Sequence, residues 1–132
     1  RAGLLEGGRR DQRDVVARHL VARAALADVD RSGALVVGEG AEAKPGDTVD
    51  VHYVGVEYET GDEFDSSWNR AESISFPLRG LIQGWQDGIP GMRVGGRRQL
   101  VIPPEQAYGP SGSGHRLSGK TLVFVIDLLG TR

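Results

Sequence analysis

The sequence predicts an α+β domain, an antiparallel sheet of five to six strands wrapped around one short α-helix, with an additional helix near the N-terminus. Three observations lead to this fold class. The 132 residues provide one compact domain with a short extension. Their 20 glycines and modest apolar fraction of 39% favour a turn-rich sheet over a helical bundle. Several segments alternate apolar and polar residues with the period of two that is typical of half-buried strands.

The first 33 residues differ in charge from the rest of the chain. They contain seven arginines and five acidic residues, whereas residues 34–132 contain nine basic and thirteen acidic residues. Residues 1–10 read as disordered, and recurring apolar residues predict a helix near 12–28. Its narrow, alanine-rich stripe could pack on the main domain, pair with a partner or be marginally stable, and an accessory tail without a chemical role is the simplest interpretation. We therefore divide the chain into an extension, 1–33, and a main domain, 34–132.

The first half of the main domain is predicted to consist of strands. A short strand over 34–37 is followed by a turn and then by a long strand that starts at Val49. In that strand Tyr53 falls on the same, inward face as Val49 because side chains alternate between faces. Two shorter strands follow, at 63–67 and 74–78, and a proline in the second suggests an edge or a bulge.

The second half contains the only helix predicted for the main domain. Residues 80–88 are too rich in glycine for a strand, and the spacing of Leu81 and Trp85 suggests a short helix lying on the sheet. A strand over 97–102 and a last strand over 121–129 follow, separated by a loop that contains Tyr108. The segment 95–98 leads into a strand and not a helix, so we interpret it as a turn with exposed arginines and not as a phosphate site.

Several classes of function are disfavoured by composition. The absence of cysteine excludes disulfides, a thiol nucleophile and thiolate metal sites. The three histidines are not at metal-ligand spacing, and the sequence lacks G-x-S-x-G, so we expect no metal, no cofactor and no hydrolytic triad. The net charge of −2 gives no indication of nucleic acid or membrane binding. We expect a monomer in the cytoplasm, and a secreted form whose leader has been removed stays open.

One set of apolar side chains is positioned to form a pocket. For each member alone, core packing is the simpler interpretation, but the predicted elements bring the members together beside Asp65. The set is Tyr53, Phe64, Ile74, Phe76, Trp85, Tyr108, Leu117 and Phe124.

Eight short motifs in the main domain occur in the order of one known family and cover about residues 34–130. They are Val51-His-Tyr-Val-Gly55, Glu63-Phe-Asp-Ser-Ser67, Phe76-Pro-Leu78, Leu81-Ile-Gln-Gly-Trp85 with Asp87-Gly88, Met92-Arg-Val-Gly95, Ile102-Pro-Pro104, Ala107-Tyr-Gly109 and Thr121-Leu-Val-Phe124. In these motifs the chain resembles the FK506-binding-protein (FKBP) family of peptidyl-prolyl cis-trans isomerases. The resemblance implies a twisted antiparallel sheet around one short helix.

The resemblance also implies a role for each residue of the pocket. Trp85 would form the floor, and the substrate-binding residues around it would be Phe64, Ile74, Phe76, Leu81, Ile82 and Leu117. The residues implied to act in catalysis are Tyr53, Asp65, Tyr108 and Phe124. The Ile82 N–H and the Tyr108 hydroxyl would donate hydrogen bonds to ligand carbonyls. Asp65 would lie at the rim, paired with Arg70 and the Tyr53 hydroxyl, and would not act as a general base.

The implied function is rotation about X-Pro bonds during protein folding, by a non-covalent mechanism, together with binding of macrolides such as FK506 and rapamycin. Proline-containing polypeptides would be the partners. The alternative is a non-catalytic binding module or holdase to which the N-terminal helix contributes. The sequence departs from the family in a shorter 78–81 connection and in the 110–120 loop, where His115-Arg-Leu117 replaces the usual apolar residues. In that loop only Leu117 offers an apolar contact.

Overall fold

The computed structural model describes residues 33–68 and 72–132, which form a six-stranded antiparallel sheet and one short α-helix. The elements in chain order are β1 (Gly33–Val36), β2 (Thr48–Glu57), β3 (Glu63–Ser66), β4 (Ile74–Pro77), α1 (Gln83–Gly88), β5 (Arg97–Ile102) and β6 (Leu122–Thr131). The predicted α+β architecture is confirmed. The helix predicted near 12–28 lies outside the described residues.

The two longest strands lie at the centre of the sheet. The order is β1-β5-β6-β2-β3, and β4 also pairs with β2. Because β6 pairs with β2 from Val49 to Glu57, β3 and β4 share the opposite edge of β2. Val49 lies opposite Phe76 of β4, whereas Gly55 lies opposite Asp65 of β3. This arrangement places aromatic and acidic side chains from two short strands beside one long strand.

The alternation of side chains gives the sheet two different faces. We call the side that α1 covers the helix face; its buried residues from β2, β5 and β6 are Val49, Val51, Tyr53, Leu100, Ile102, Leu122, Phe124, Ile126 and Leu128. The other side is the outer face. It contains a valine cluster, defined as Val54, Val56, Val123 and Val125, against which Tyr58, Trp68 and Val101 pack.

Two glycines allow α1 to lie close to β5. A Cβ atom at Gly84 would be 2.5 Å from the Ile102 side chain, and one at Gly88 would be 2.6 Å from Leu100. Glycine in a helix costs about 1 kcal/mol relative to alanine, so close packing on the sheet is what maintains this short helix. The packing holds Trp85, which is 4% exposed, against the core.

The two arginines that begin β5 are not exposed, so that expectation was wrong. Arg97 is 4% exposed and forms a bidentate ion pair with Asp127, with Nε donating to Oδ1 at 2.6 Å and Nη2 to Oδ2 at 2.9 Å. The two residues face each other in the β5–β6 register, and the paired geometry offsets the cost of burying both charges. Arg98 donates to the Gly88 carbonyl at 2.6 Å, at the C-terminal end of α1, and burial lowers the pKa of its guanidinium.

The structure also contains two elements that the sequence pattern did not predict. Single turns of 3-10 helix occur at Leu78–Gly80 and Pro104–Gln106. The first turn immediately precedes Leu81, so α1 begins only at Gln83 and Leu81 is not part of it. Ile82 has extended backbone angles and caps the N-terminus of α1. Leu81 and Ile82 therefore enter the site from the connection before the helix.

Candidate functional site

A cavity of about 230 Å³ opens on the helix face. Strands supply five of its lining residues, and the connection before α1, the helix itself and a loop supply the others. The lining residues are Tyr53, Phe64, Asp65, Phe76, Leu81, Ile82, Trp85, Tyr108 and Phe124. All nine are site residues that the resemblance implied, and the fold brings them together.

Two of the other residues that the resemblance implied, Ile74 and Leu117, do not line the cavity. Ile74 is half-buried and packs against the core cluster of the helix face, but does not line the cavity. Leu117 is 2% exposed and is part of that core, so the apolar contact expected from it is directed into the protein. Arg70 lies outside the described residues, and its pairing with Asp65 stays a prediction.

Trp85 forms the centre of an aromatic cluster, and its indole meets three neighbouring rings nearly at right angles. Its indole lies 5.2 Å from the ring of Tyr53, 5.7 Å from Phe76 and 5.2 Å from Phe124, with interplanar angles of 84°, 87° and 89°. Edge-to-face contacts of this kind are favourable because the positive edge of one ring meets the negative face of another. They fix the orientations of the rings while leaving open space between them.

Gly55 makes the close approach of two wall residues possible. The rings of Phe64 and Phe124 are 5.5 Å apart and perpendicular. A Cβ atom at Gly55 would lie 2.7 Å from Phe64 and 2.8 Å from Phe124, which is too close for either ring to keep its position. The sequence analysis did not include Gly55 in the site, although a glycine inside a strand is a recognised signal of close approach.

Asp65 lies at the edge of the cavity and is held by hydrogen bonds. The Tyr53 hydroxyl donates to Asp65 Oδ2, and the Ser66 N–H donates to Oδ1 at 2.9 Å. These donors stabilise a carboxylate beside apolar surface. Both inferred catalytic residues of this corner are therefore already in contact, as the resemblance implied.

Ser67, which the sequence analysis did not single out, fixes the backbone of Tyr53. The Tyr53 N–H donates to Ser67 Oγ at 2.7 Å, and the Ser67 N–H donates to the Tyr53 carbonyl at 2.9 Å. Ser67 is fully buried, and its hydroxyl also lies 2.8 Å from Nδ1 of His52. The residue that follows β3 is thus attached to β2 at Tyr53, the residue whose hydroxyl holds Asp65.

Two donors at the cavity are available to a ligand. The structure shows no hydrogen bond from the Ile82 N–H, or from the Tyr108 hydroxyl, to any residue it describes. The carbonyl of Ile82, by contrast, accepts from the Trp85 N–H at 3.0 Å as α1 begins. The site therefore combines apolar ring surfaces with donors suited to carbonyl groups.

Within residues 33–68 and 72–132, no three His, Asp or Glu side chains are grouped so that they could hold a metal ion. No helix in the described part of the chain is long and apolar enough to cross a bilayer. The apolar rings of the cavity and its two donors indicate a binding site for a compact apolar group flanked by carbonyls.

Comparisons with known proteins agree with this geometry. Residues 39–129 match the model of the FKBP-type peptidyl-prolyl cis-trans isomerase family. A Corynebacterium glutamicum protein named "Probable FK506-binding protein" is 73% identical over 95 residues, which cover 72% of this chain and 80% of the relative. The FK506-binding protein of Streptomyces anulatus is 51% identical over 96 residues, covering 70% of this chain and 77% of the relative.

A solved structure shares the fold. The crystal structure of FkpA from Escherichia coli matches with a TM-score of 0.71 and 33% sequence identity, over 90% of this chain and 59% of FkpA. The matched family model spans more than half of the chain, and its residues include the whole cavity. The chain therefore belongs to the FKBP-type peptidyl-prolyl cis-trans isomerases.

Proposed function

We propose that the aromatic cavity is where this isomerase binds the proline of a polypeptide and accelerates rotation about the preceding bond. The observation that carries the proposal is the arrangement around Trp85, where three rings meet the indole nearly at right angles and border a cavity of about 230 Å³. A proline ring is compact and apolar, and carbonyls flank it on both sides. The available donors at Ile82 and Tyr108 suit those carbonyls.

The reaction needs no covalent intermediate in this site. Rotation about the peptide bond has a barrier of ~18–20 kcal/mol because resonance must be lost, and without catalysis it takes about 10–100 s. The planar amide is more polar than the twisted one, so an environment that removes water favours the twisted state. Lowering the barrier by about 5–7 kcal/mol would bring rotation to the millisecond range, since each ~1.4 kcal/mol is tenfold.

Asp65 contributes in this mechanism as a fixed charge at the edge of the cavity. Its carboxylate accepts one hydrogen bond at each oxygen, from the Tyr53 hydroxyl and from the Ser66 N–H, and these bonds fix its orientation. Because no proton leaves the substrate during rotation, a general base has no role to perform. The carboxylate instead orients Tyr53 and polarises the amide.

Macrolide binding is the second part of the proposal. The match with this chain covers most of the length of two relatives that are named FK506-binding proteins. The same cavity would accept a macrolide in place of proline, with the apolar ring of the ligand on Trp85. Substrate and macrolide would then compete for one site. The monomeric state and the cytoplasmic location stay predictions.

The test combines activity and binding in matched variants. Isomerisation of X-Pro peptides is measured by NMR exchange, and FK506 binding by calorimetry, for the wild type, Asp65→Ala, Phe124→Ala and Val123→Ala. Phe124 lines the cavity, whereas the adjacent Val123 belongs to the valine cluster on the outer face. We expect both changes at the cavity to reduce activity and FK506 affinity together, and Val123→Ala to preserve both.

Folded wild-type protein that gives no rate above buffer would overturn the catalytic proposal. Normal activity without competition by FK506 would overturn only the macrolide part. If Phe124→Ala remained as active as Val123→Ala, the reaction would have to take place elsewhere on the molecule.

A further inference from the structure

Tyr108 reaches the cavity from a loop, unlike the lining residues on β2, β3, β4, β6 and α1. It follows the 3-10 turn at Pro104–Gln106 and precedes β6 by more than a dozen residues. A tyrosine on a loop has no ladder or helical hydrogen bonds to fix it. Its side chain packs against the core cluster of the helix face, and contacts within the loop also act on the orientation of its ring.

The main contact is an aromatic stack with His115. The imidazole ring lies parallel to the phenol ring of Tyr108, with a centroid separation of 4.0 Å and an angle of 9°. One face of the Tyr108 ring is covered by His115. This parallel pair differs from the contacts of the Trp85 indole, which meets its three neighbouring rings at nearly 90°.

Hydrogen bonds hold the imidazole in this position. The Leu117 N–H donates to Nδ1 of His115 at 3.0 Å, and the neutral ring therefore carries its proton on Nε2. Leu117 is 2% exposed and anchored in the core. The imidazole is thus attached by a hydrogen bond to Leu117, whose buried side chain restricts its movement.

A single hydroxyl joins the backbones of the two stacked residues. Ser118 Oγ accepts from the His115 N–H at 3.1 Å and donates to the Tyr108 carbonyl at 2.9 Å. The Gly119 N–H also donates to the Gly109 carbonyl at 2.7 Å, so the two ends of the loop are held together. Rings and backbones are consequently fixed as one unit.

We propose that His115 is a positioning residue that holds the Tyr108 ring ready for the substrate. The proposal rests on the proposed function, in which the Tyr108 hydroxyl donates to a substrate carbonyl. A ring that is ordered before binding loses less freedom when the complex forms. The carbonyl is present in both the planar and the twisted amide, so His115 improves binding of both states and acts on KM more than on kcat.

Three substitutions separate the stack from the hydrogen bond. His115→Phe keeps an aromatic ring and removes the Nδ1 acceptor. His115→Asn removes the ring and keeps an acceptor that can bond the N–H two residues on, as in an Asx turn. His115→Ala removes both, and Arg116→Ala is the control at the adjacent exposed position.

We expect His115→Ala and His115→Asn to raise KM about three- to tenfold, the range associated with a lost aromatic pair, with little change in kcat. His115→Phe and Arg116→Ala should remain near the wild type. The NMR signals of the Tyr108 ring should shift in His115→Ala and His115→Asn, because the ring current of the imidazole is lost. Melting temperatures report whether each variant is folded.

The proposal is overturned if His115→Asn behaves like the wild type, or if His115→Phe is as impaired as His115→Ala. Should His115→Ala fail to fold, the comparison of His115→Phe with His115→Asn still decides between ring and acceptor. An inactive wild type would contradict the proposed function instead, and the Tyr108 signals would then still test the stack.

Discussion

The helix face and the outer face of the sheet are built by the same strands but contain different side chains. On the helix face, Tyr53 and Phe124 meet Trp85 edge to face and border a cavity of about 230 Å³. On the outer face, Val54 and Val125 lie opposite each other in the β2–β6 register, and both are fully buried. The rings of the helix face border a cavity, whereas the valines of the outer face form a buried cluster.

The difference follows from the shapes of the side chains. Valine is branched at Cβ and has one strongly preferred rotamer, so neighbouring valines fill the surface of a sheet closely. Aromatic rings at right angles keep their centroids more than 5 Å apart here, and space remains between them. Adjacent residues on one strand therefore serve different purposes, with the rings forming the site and the valines stabilising the sheet.

The largest effect on the comparison is expected from Gly55→Ala, which adds one methyl group to the helix face. The new Cβ would lie within 3 Å of Phe64 and Phe124, and overpacking of this kind costs about 1–3 kcal/mol. Because both displaced rings line the cavity, kcat/KM should fall at least about tenfold, equivalent to ~1.4 kcal/mol of transition-state binding. Peptide isomerisation and urea unfolding measure the two effects.

The matched control is Val54→Ala, which changes the neighbouring residue on the opposite face. Wild-type kcat/KM in Gly55→Ala would mean that the positions of Phe64 and Phe124 do not matter for catalysis. A loss of activity in both variants would mean that the two faces are not independent.

The second prediction concerns the valine cluster alone. Val125→Ala removes two methyl groups from a side chain with 0% exposure. We expect the free energy of unfolding to fall by about 2 kcal/mol, from lost burial and the small cavity that remains. Activity per folded molecule should stay unchanged, since Val125 does not line the site. Chemical denaturation and an active-site titration at 25 °C measure both quantities; reduced kcat/KM in fully folded protein would contradict the separation of faces.

Sequence reasoning was most successful where the signal is local. The alternation in residues 49–56 reveals a strand and the inward face of Tyr53, and the structure places both accordingly. The strands of the sheet and the short helix could be predicted for the same reason. All nine lining residues of the cavity were also identified, because each of them lies in one of the eight family motifs.

The features that were missed depend on partners distant in sequence or on loop geometry. Arg97 is buried because Asp127 lies opposite it, 30 residues later, and no local pattern indicates that pairing. Hydrogen bonds made by Ser118 hold the loop so that Leu117 faces the core and His115 faces Tyr108. Glycines with positive φ, such as Gly109 at 85° and Gly119 at 80°, form the turns of this loop. The apolar character of Leu117 showed that it would be buried, but not where.

The smallest expected effect lies at the end of the outer face, beyond the valine cluster. The Ser75 hydroxyl donates to Asp50, and this hydrogen bond is the main reason that the pKa of Asp50 is lowered. Arg132 adds a hydrogen bond at 2.9 Å and a positive charge, whereas burial opposes the shift. A lowered carboxylate pKa stabilises the fold at neutral pH, and the contribution disappears as the pH falls below about 4.

Ser75→Ala should therefore destabilise the protein slightly at pH 7, by less than about 1 kcal/mol for an exposed hydrogen bond, and the difference from the wild type should be smaller at pH 3. Urea unfolding at the two pH values measures it, with Ser73→Ala, an exposed serine just before β4, as the control. A difference at pH 3 as large as that at pH 7 would show that Ser75 acts by packing and not through the charge of Asp50. Because neither Ser75 nor Asp50 lines the cavity, isomerase activity should be equal in the wild type, Ser75→Ala and Ser73→Ala. Equal activities would show that the edge of the outer face, like the valine cluster, stabilises the fold without acting on the site.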